Sequence, residues 1–408
     1  MRRTLLIVLA LSALLPAGAA HADLKSSLTA QMRQAGSYSG AYVTNLTTGE
    51  QAFAWRAGTP RVLASNTKLF VAATALARFG TEGTLGTEVL GRGELDEDGV
   101  WRGDLYLRGG GDPTFGSRRF TTRSYGSGAT VEDLAALLDE AGVERVMGRI
   151  YGDESRHDAL RGGPYSGFGV SIWVGPLSAL SFNRGLASES GSGYQTSPPA
   201  FAALRLDAAL EARGIRVRLA PRAGTTPAGA PVIASVDSPP MQTLVRLMNK
   251  PSDNFMAEVL LKDIAMQANG RGTTAAGARL VAGHARRLGA RARIADGSGL
   301  SRGNRASPFR VVQLLTAMNQ EEDQFDPWYA SLAIAGRDGT LKKRMRSGAA
   351  RGRCRAKTGT LSNVSTLSGY CTARSGQMYA FSILMNNVYT SGAKVLQDRM
   401  AQAIAAQG

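Results

Sequence analysis

The chain has 408 residues, 43% of them hydrophobic and 20% charged, with a formal net charge of +16. That apolar fraction is enough to bury cores over two or three domains and excludes a disordered tail. The positive balance raises nucleic acid as a partner, but no aromatic-interleaved basic motif, helix-turn-helix pattern or zinc spacing supports one.

At the N-terminus, Arg2 and Arg3 precede TLLIVLALSALLPAG, and Ala20-His21-Ala22 precedes Asp23. This charged, apolar, small-residue order is that of a cleavable secretory signal over residues 1–22. Pro16 and Gly18 interrupt the apolar run, which is also too short for a stable membrane span. Removal leaves 408 − 22 = 386 residues and, without Arg2 and Arg3, a charge of 16 − 2 = +14. The predicted destination is the periplasm or the exterior, with no membrane insertion after cleavage, where a basic protein meets an anionic envelope rather than nucleic acid.

Next, DLKSSLTAQMRQA predicts a helix, SGAYVTNLTTG with EQAFAWRAG a hairpin, and TKLFVAATALARFG a helix directly behind Ser65. From Gly80 to Asp237 the texture changes to glycine-rich short strands, with helices at VEDLAALLDEAG and PAFAALRLDAALEARG. Thr130 followed by Asp133 gives the first of these a start like a capping box. Helical texture returns in FMAEVLLKDIAMQ and TTAAGARLVAGHARRLG, followed by strands flanked by cysteine, MYAFSILMNN and a final helix. This order predicts an α+β domain made of residues 23–80 and 238–408, interrupted by a partly β accessory body over 81–237. A hairpin turning near Leu361 to Asn363 would set Cys354 opposite Cys371, so in an oxidising compartment the two either pair or remain free thiols.

The chemistry starts from LASNTKLF. A lysine in the first turn of an apolar helix is badly placed for solvation unless its amine acts on a neighbour, here the Ser65 hydroxyl three residues back. Serine usually borrows a histidine, but after the signal only His157 and His284 occur, neither in a catalytic setting. His284 falls in a basic amphipathic helix and is expected at the surface. Gly297-Ser298-Gly299 lacks the nucleophile-elbow spacing and reads as a loop, and there is no HExxH, so neither metal nor cofactor is predicted. Lys68, by contrast, shares a helix face with Ser65, and burial would lower its pKa enough to accept a proton. Ser-x-x-Lys alone is common by chance. Two companions follow in order: Ser252-Asp253-Asn254 ahead of a helix and Lys357-Thr358-Gly359-Thr360 on a strand.

The ordered set S-x-x-K, S-x-N and K-T-G resembles the penicillin-binding proteins and serine β-lactamases. With GDLYLRGGGDPTF (103–115), GPLSALSFNRG (175–185), DGSGLSRGN (296–304) and AGRDGTLKKRM (335–345), the chain resembles the low-molecular-mass class C penicillin-binding proteins. These are the D-alanyl-D-alanine carboxypeptidase/endopeptidases of peptidase family S13. The 252 − 65 = 187 residues between the first two motifs match that family's habit of inserting domains there. Residues 183–199 are short and polar where many members carry further strands, so one accessory piece is reduced.

The resemblance implies a penicillin-recognising fold, an antiparallel sheet flanked by helices. It makes Ser65 the acylated nucleophile, Lys68 its proton acceptor, and Ser252 a relay toward Lys68 and the leaving D-alanine. Asn254 would hold the acyl side chain's amide, while Lys357 and Thr358 bind the terminal carboxylate. Gly359 would let an extended peptide lie along the strand, and the N–H groups of Ser65 and Thr360 would form the oxyanion hole. Peptidoglycan stem peptides are then the substrates and β-lactams covalent inhibitors. Two alternatives stand beside this: a serine β-lactamase, although no ExxLN loop is apparent, and a non-catalytic peptidoglycan-binding protein, although the motifs are intact. In the inserted body, Asp153, Glu154 and Asp158 are expected in a solvated loop, or else reading a free amine, and Asp112 at a turn.

Overall fold

The computed structural model describes residues 17–408, so residues 1–16 of the expected signal segment lie outside the described residues. Alternating apolar residues build a six-stranded, fully antiparallel sheet. Its order is Ala333–Ile334, Cys354–Leu361, Val364–Thr372, Met378–Asn386, Ser39–Asn45 and Gln51–Trp55. The first hairpin therefore docks on the last strand, with Val43 opposite Phe381.

Strand periodicity divides Met378–Asn386 between two cores. Phe381, Ile383 and Met385 join Leu24, Leu28, Met400 and Ile404 of the first and last helices, Ala17–Gln34 and Thr390–Ala405. Ala380 and Leu384 face the other way, toward helices Thr67–Phe79, Met241–Asn249, Asn254–Asn269, Thr274–Arg287, Pro308–Gln320 and Glu322–Ser331. Each large aliphatic or aromatic side chain fully buried here contributes about 1.5–3 kcal/mol. Every side chain from Thr67 to Leu76 is buried, so over that stretch the helix turns no face to solvent. The predicted α+β class with helices on an antiparallel sheet is what forms.

Between Gly86 and Asp237 stands a second sheet, of mixed direction. Its order is Arg216–Ala223, Arg145–Asp153, Val100–Arg108, Gly86–Leu95 and Val232–Asp237. Helices Val131–Glu140 and Pro198–Glu211 cover it through Leu134, Leu138, Leu206 and Leu210. The Thr130 hydroxyl accepts from the Asp133 N–H at 3.1 Å and caps the first of them. The chain enters and leaves this body at one place, where Ser238 N–H donates to the Leu85 carbonyl at 3.1 Å and Leu85 N–H to the Ser238 hydroxyl at 3.0 Å. A strap over 154–197, holding only two short 3-10 turns, runs from it onto helix Asn254–Asn269, where Val174 and Leu177 pack on Phe255 and Val259.

Burial corrects two expectations, for the acidic segment and for His284, and leaves the Asp112 turn as expected. The acidic segment is no solvated loop, because each of its carboxylates is taken up by partners within the protein. Asp153 is buried and accepts from the N–H groups of Ser155 and Thr226 at 2.8 Å each. Glu154 pairs with Arg161 and accepts the Ser178 hydroxyl at 2.6 Å, while Asp158 takes Lys262 Nζ at 2.7 Å. Asp112 does make a turn, accepting the Thr114 N–H at 2.7 Å, but does so while fully buried. His284 is half-buried against the Thr74 hydroxyl at 3.1 Å rather than at the surface.

Cys354 and Cys371 sit opposite one another on adjacent strands and are disulfide-bonded, 17 residues apart in sequence. Closing a loop of that size removes denatured-state entropy. Replacing both cysteines by alanine is expected to cost about 3 kcal/mol, read as a lower urea midpoint. If reducing the wild-type protein leaves that midpoint unchanged, the bond contributes nothing.

Candidate active site

Ser65 lies in a single 3-10 turn, Ala64–Asn66, that feeds helix Thr67–Phe79. Ala64 adopts φ 46°, a left-handed conformation rare outside glycine, and its surroundings hold it there. The Thr67 hydroxyl donates to the Ala64 carbonyl at 2.8 Å. Asn66 Nδ2 donates to the Lys357 carbonyl at 3.1 Å, and the Thr366 hydroxyl to the Leu63 carbonyl at 3.0 Å. The serine turn is thereby clamped to the central hairpin, one strand of which carries Lys357.

Lys68 is completely buried behind it. Its Nζ donates to Ser65 Oγ at 3.1 Å, Asn254 Oδ1 at 2.8 Å and the Ser298 carbonyl at 2.5 Å. These acceptors use up the ammonium's three protons. Burial pulls its pKa down to about 8, against the opposing pull of Asp253, Asp296 and Glu258. A group so tuned exchanges protons near neutral pH, as a general base must.

The second lysine mirrors the first. Lys357 Nζ donates to Ser252 Oγ at 2.8 Å and to the Thr358 carbonyl at 3.0 Å. Burial, and then the charge of Lys68, push it well below the ordinary lysine range. Ser252 thus bonds the K-T-G lysine in this resting site. Asn254 Nδ2 donates to the Trp173 carbonyl at 3.1 Å, and the Thr358 and Thr340 hydroxyls meet at 2.8 Å. At Gly359 a Cβ would stand 2.2 Å from Thr366 Oγ1 and 2.9 Å from the Ser65 nitrogen, so only glycine fits between strand and serine turn.

Ser65, Ser252, Asn254, Thr358, Gly359 and Thr360 line one open cleft of about 980 Å³, and Lys68 and Lys357 lie beneath its floor. Tyr165 and Trp173 of the strap and Arg302 complete the rim, and no Asp or Glu is among the lining residues.

The sequence reading missed what holds the floor. Asp296 accepts from the N–H groups of Gly299 at 2.8 Å and Ser301 at 2.6 Å and from Asn304 Nδ2 at 2.6 Å, folding 296–304 into a tight loop. Glu258 accepts from the N–H groups of Gly297 at 3.2 Å and Ser298 at 2.9 Å, aiming the Ser298 carbonyl at Lys68. Both acids are buried; burial and then Asp296 push Glu258 up to about 7, and burial raises Asp296 as well. Gly299, at φ 86°, lies so close that a Cβ would be 1.9 Å from the Ala64 carbonyl oxygen. A lone glutamate inside FMAEVLL was the available signal.

Comparison with known proteins agrees with this geometry. The model of the D-Ala-D-Ala carboxypeptidase 3 (S13) family matches residues 20–167 and 191–407. A D-alanyl-D-alanine carboxypeptidase of Actinomadura sp. (strain R39) is 30% identical, over 91% of this chain and 81% of its own. Penicillin binding protein 4 of Haemophilus influenzae shares the fold with a TM-score of 0.76 at 20% identity, over 91% of this chain and 97% of its own. A predatory endopeptidase of Bdellovibrio bacteriovorus, solved acylated by penicillin G, gives 0.55 at 18% identity over 90% and 92%. With an antiparallel sheet, a lysine-backed serine and a family match spanning most of its length, this chain belongs to the D-Ala-D-Ala carboxypeptidase 3 (S13) family of peptidases.

Proposed function

We propose that the protein is a serine D-Ala-D-Ala carboxypeptidase that trims peptidoglycan stem peptides in the cell envelope through an acyl-enzyme on Ser65. The observation that carries the reading is the buried Lys68 amine 3.1 Å from Ser65 Oγ, with its pKa drawn down to about 8. As a free amine Lys68 takes the serine proton while Oγ attacks the carbonyl of the penultimate D-alanine. The N–H groups of Ser65 and Thr360 receive the oxyanion. Ser252, in contact with Lys357, relays to the departing D-alanine amine the proton that Lys68 took from Ser65, and water then hydrolyses the ester and restores the Ser65 hydroxyl. Lys357 supplies positive potential and Thr358 a hydroxyl for the terminal carboxylate of the substrate. Cleavage of D-alanine crosslinks is the same chemistry with a larger leaving amine, and the open cleft admits it. The envelope location rests on the leader-like segment 1–22 and on family membership; no helix of the described residues is long and apolar enough to cross a membrane.

A β-lactamase reading is disfavoured because no ExxLN loop is apparent in the chain and both the family match and the similar relative from Actinomadura are carboxypeptidases. The test is intact-protein mass spectrometry with benzylpenicillin beside a D-Ala-D-Ala peptide assay. Wild type should gain one drug and release D-alanine, and Ser65→Ala should do neither. Rapid turnover of penicillin would instead mark a β-lactamase, and neither adduct nor release a binding protein.

A further inference from the structure

The strap reaches the S-D-N turn from behind the cleft. Asn183, at φ 48°, and Arg184, at φ 59°, are consecutive non-glycine residues in the left-handed region, a conformation that persists only where the surroundings impose it. The surroundings are visible. Asn183 Oδ1 accepts the Ser117 N–H at 2.9 Å, and Asn183 N–H donates to the Phe115 carbonyl at 3.0 Å. Gln195 Nε2 ties the carbonyls of Phe182 and Leu186 at 2.8 and 2.7 Å. The bend sends the Arg184 side chain out of the inserted body and onto Asp253, the middle residue of S-D-N. There its fork grips both carboxylate oxygens, one through Nη1 and the other at 3.2 Å from Nη2, and the guanidinium lies 5.1 Å from the centre of the Phe255 ring.

Asp253 is the pivot of the motif. Its Oδ1 accepts the Met256 N–H at 2.9 Å and so caps helix Asn254–Asn269. Ser252 on one side holds φ 66° with its hydroxyl on Lys357, and Asn254 on the other has its Oδ1 on Lys68. Arg184 itself does not line the cleft. It also falls within residues 168–190, which lie between the two blocks matched by the family model.

Resting on the carboxypeptidase reading, we infer that Arg184 is a positioning residue: by gripping Asp253 it holds Ser252 and Asn254 against the two lysines, so the inserted body takes part in acylation through a residue that does not itself line the cleft. The bidentate fork fixes the carboxylate's orientation as well as its place, which a point charge would not do.

The test compares wild type, Arg184→Met, Arg184→Lys, Asp253→Asn and the Met/Asn double variant. The readouts are the rate of Ser65 acylation by a fluorescent penicillin, the final number of titratable sites, and kcat and KM on a D-Ala-D-Ala peptide. Wild type that is never acylated would sink the acyl-enzyme reading itself and this inference with it. Given acylation of wild type, Arg184→Met should label fully but at least about tenfold more slowly, with kcat reduced and KM little changed. Lysine should restore part of the rate, and the double variant should be no slower than the slower single one, because both remove one interaction. A wild-type acylation rate in Arg184→Met, or losses that simply multiply in the double variant, would overturn the inference. So would a loss of thermal stability with an unchanged rate per titratable site. If the methionine variant does not fold, the lysine variant decides: a full wild-type rate overturns the inference, and a several-fold slower rate at full titration supports it.

Discussion

Replacing Lys68 with methionine is expected to slow acylation of Ser65 by about a thousandfold, within the range for removing a positioned general base. Methionine fills much of the same buried space without the amine, so the loss reports on proton transfer rather than on a cavity. Wild type should carry the matching pH signature. Below its depressed pKa Lys68 is an ammonium and cannot take the serine proton; above it the free amine can. The acylation rate should therefore climb as pH rises through about 8 and then level off. An unburied lysine would place that midpoint near the ordinary value of about 10.4. Time courses with a fluorescent penicillin at a series of pH values measure both effects. A flat profile, or one that falls as pH rises, would remove Lys68 from the base role, as would a methionine variant of undiminished rate.

Gly299→Ala is expected to do comparable damage from a position that carries no chemistry. The added Cβ would lie 1.9 Å from the Ala64 carbonyl oxygen, and because that atom is backbone, no side chain can swing aside to make room. The loop must shift instead. That takes the Ser298 carbonyl away from Lys68 and presses on the turn that presents Ser65. Overpacking of this kind, added to a left-handed φ, should lower stability by about 2–3 kcal/mol. The displaced nucleophile should slow acylation by about a hundredfold. Gly270→Ala is the control: it shares the positive φ but nothing lies within 4 Å of its Cβ, so only the backbone cost of about 1 kcal/mol remains. Melting curves and acylation rates together decide. Gly299→Ala that melts and reacts like Gly270→Ala would mean that the loop does not brace the serine.

The parts of this molecule legible in the sequence are those in which chemistry and spacing are local. Ser65 and Lys68 are one helical turn apart, Lys357 to Thr360 run along one strand, and the short turn between two strands puts Cys354 opposite Cys371. What was hidden depends on approach between distant segments. Glu258 reads as an ordinary polar residue on a helix until the loop 39 and 40 residues further on is seen holding its carboxylate, as the partners Gly297 and Ser298 show. Asp153, Glu154 and Asp158 read as solvated because no periodicity announces that Thr226, Arg161 and Lys262 will close on them. His284 was assigned by the basic residues beside it, whereas its own side chain points to Thr74. Charge patterns describe which faces would tolerate water; they do not say which faces another segment will occupy.

The two hydrogen bonds between Leu85 and Ser238 have a further consequence, because they close a detour of 153 residues. Lengthening or trimming the chain beyond that doorway leaves the path from Phe79 to Met241 unaltered, and a longer closed excursion adds only a slowly growing entropic cost. The inserted body is thus free to drift in size between relatives without dragging Ser65 away from Lys357. Its freedom ends at the tip of the strap. A graft that swapped the whole body for a short bend would preserve the backbone of the peptidase and forfeit the hand that steadies its S-D-N turn.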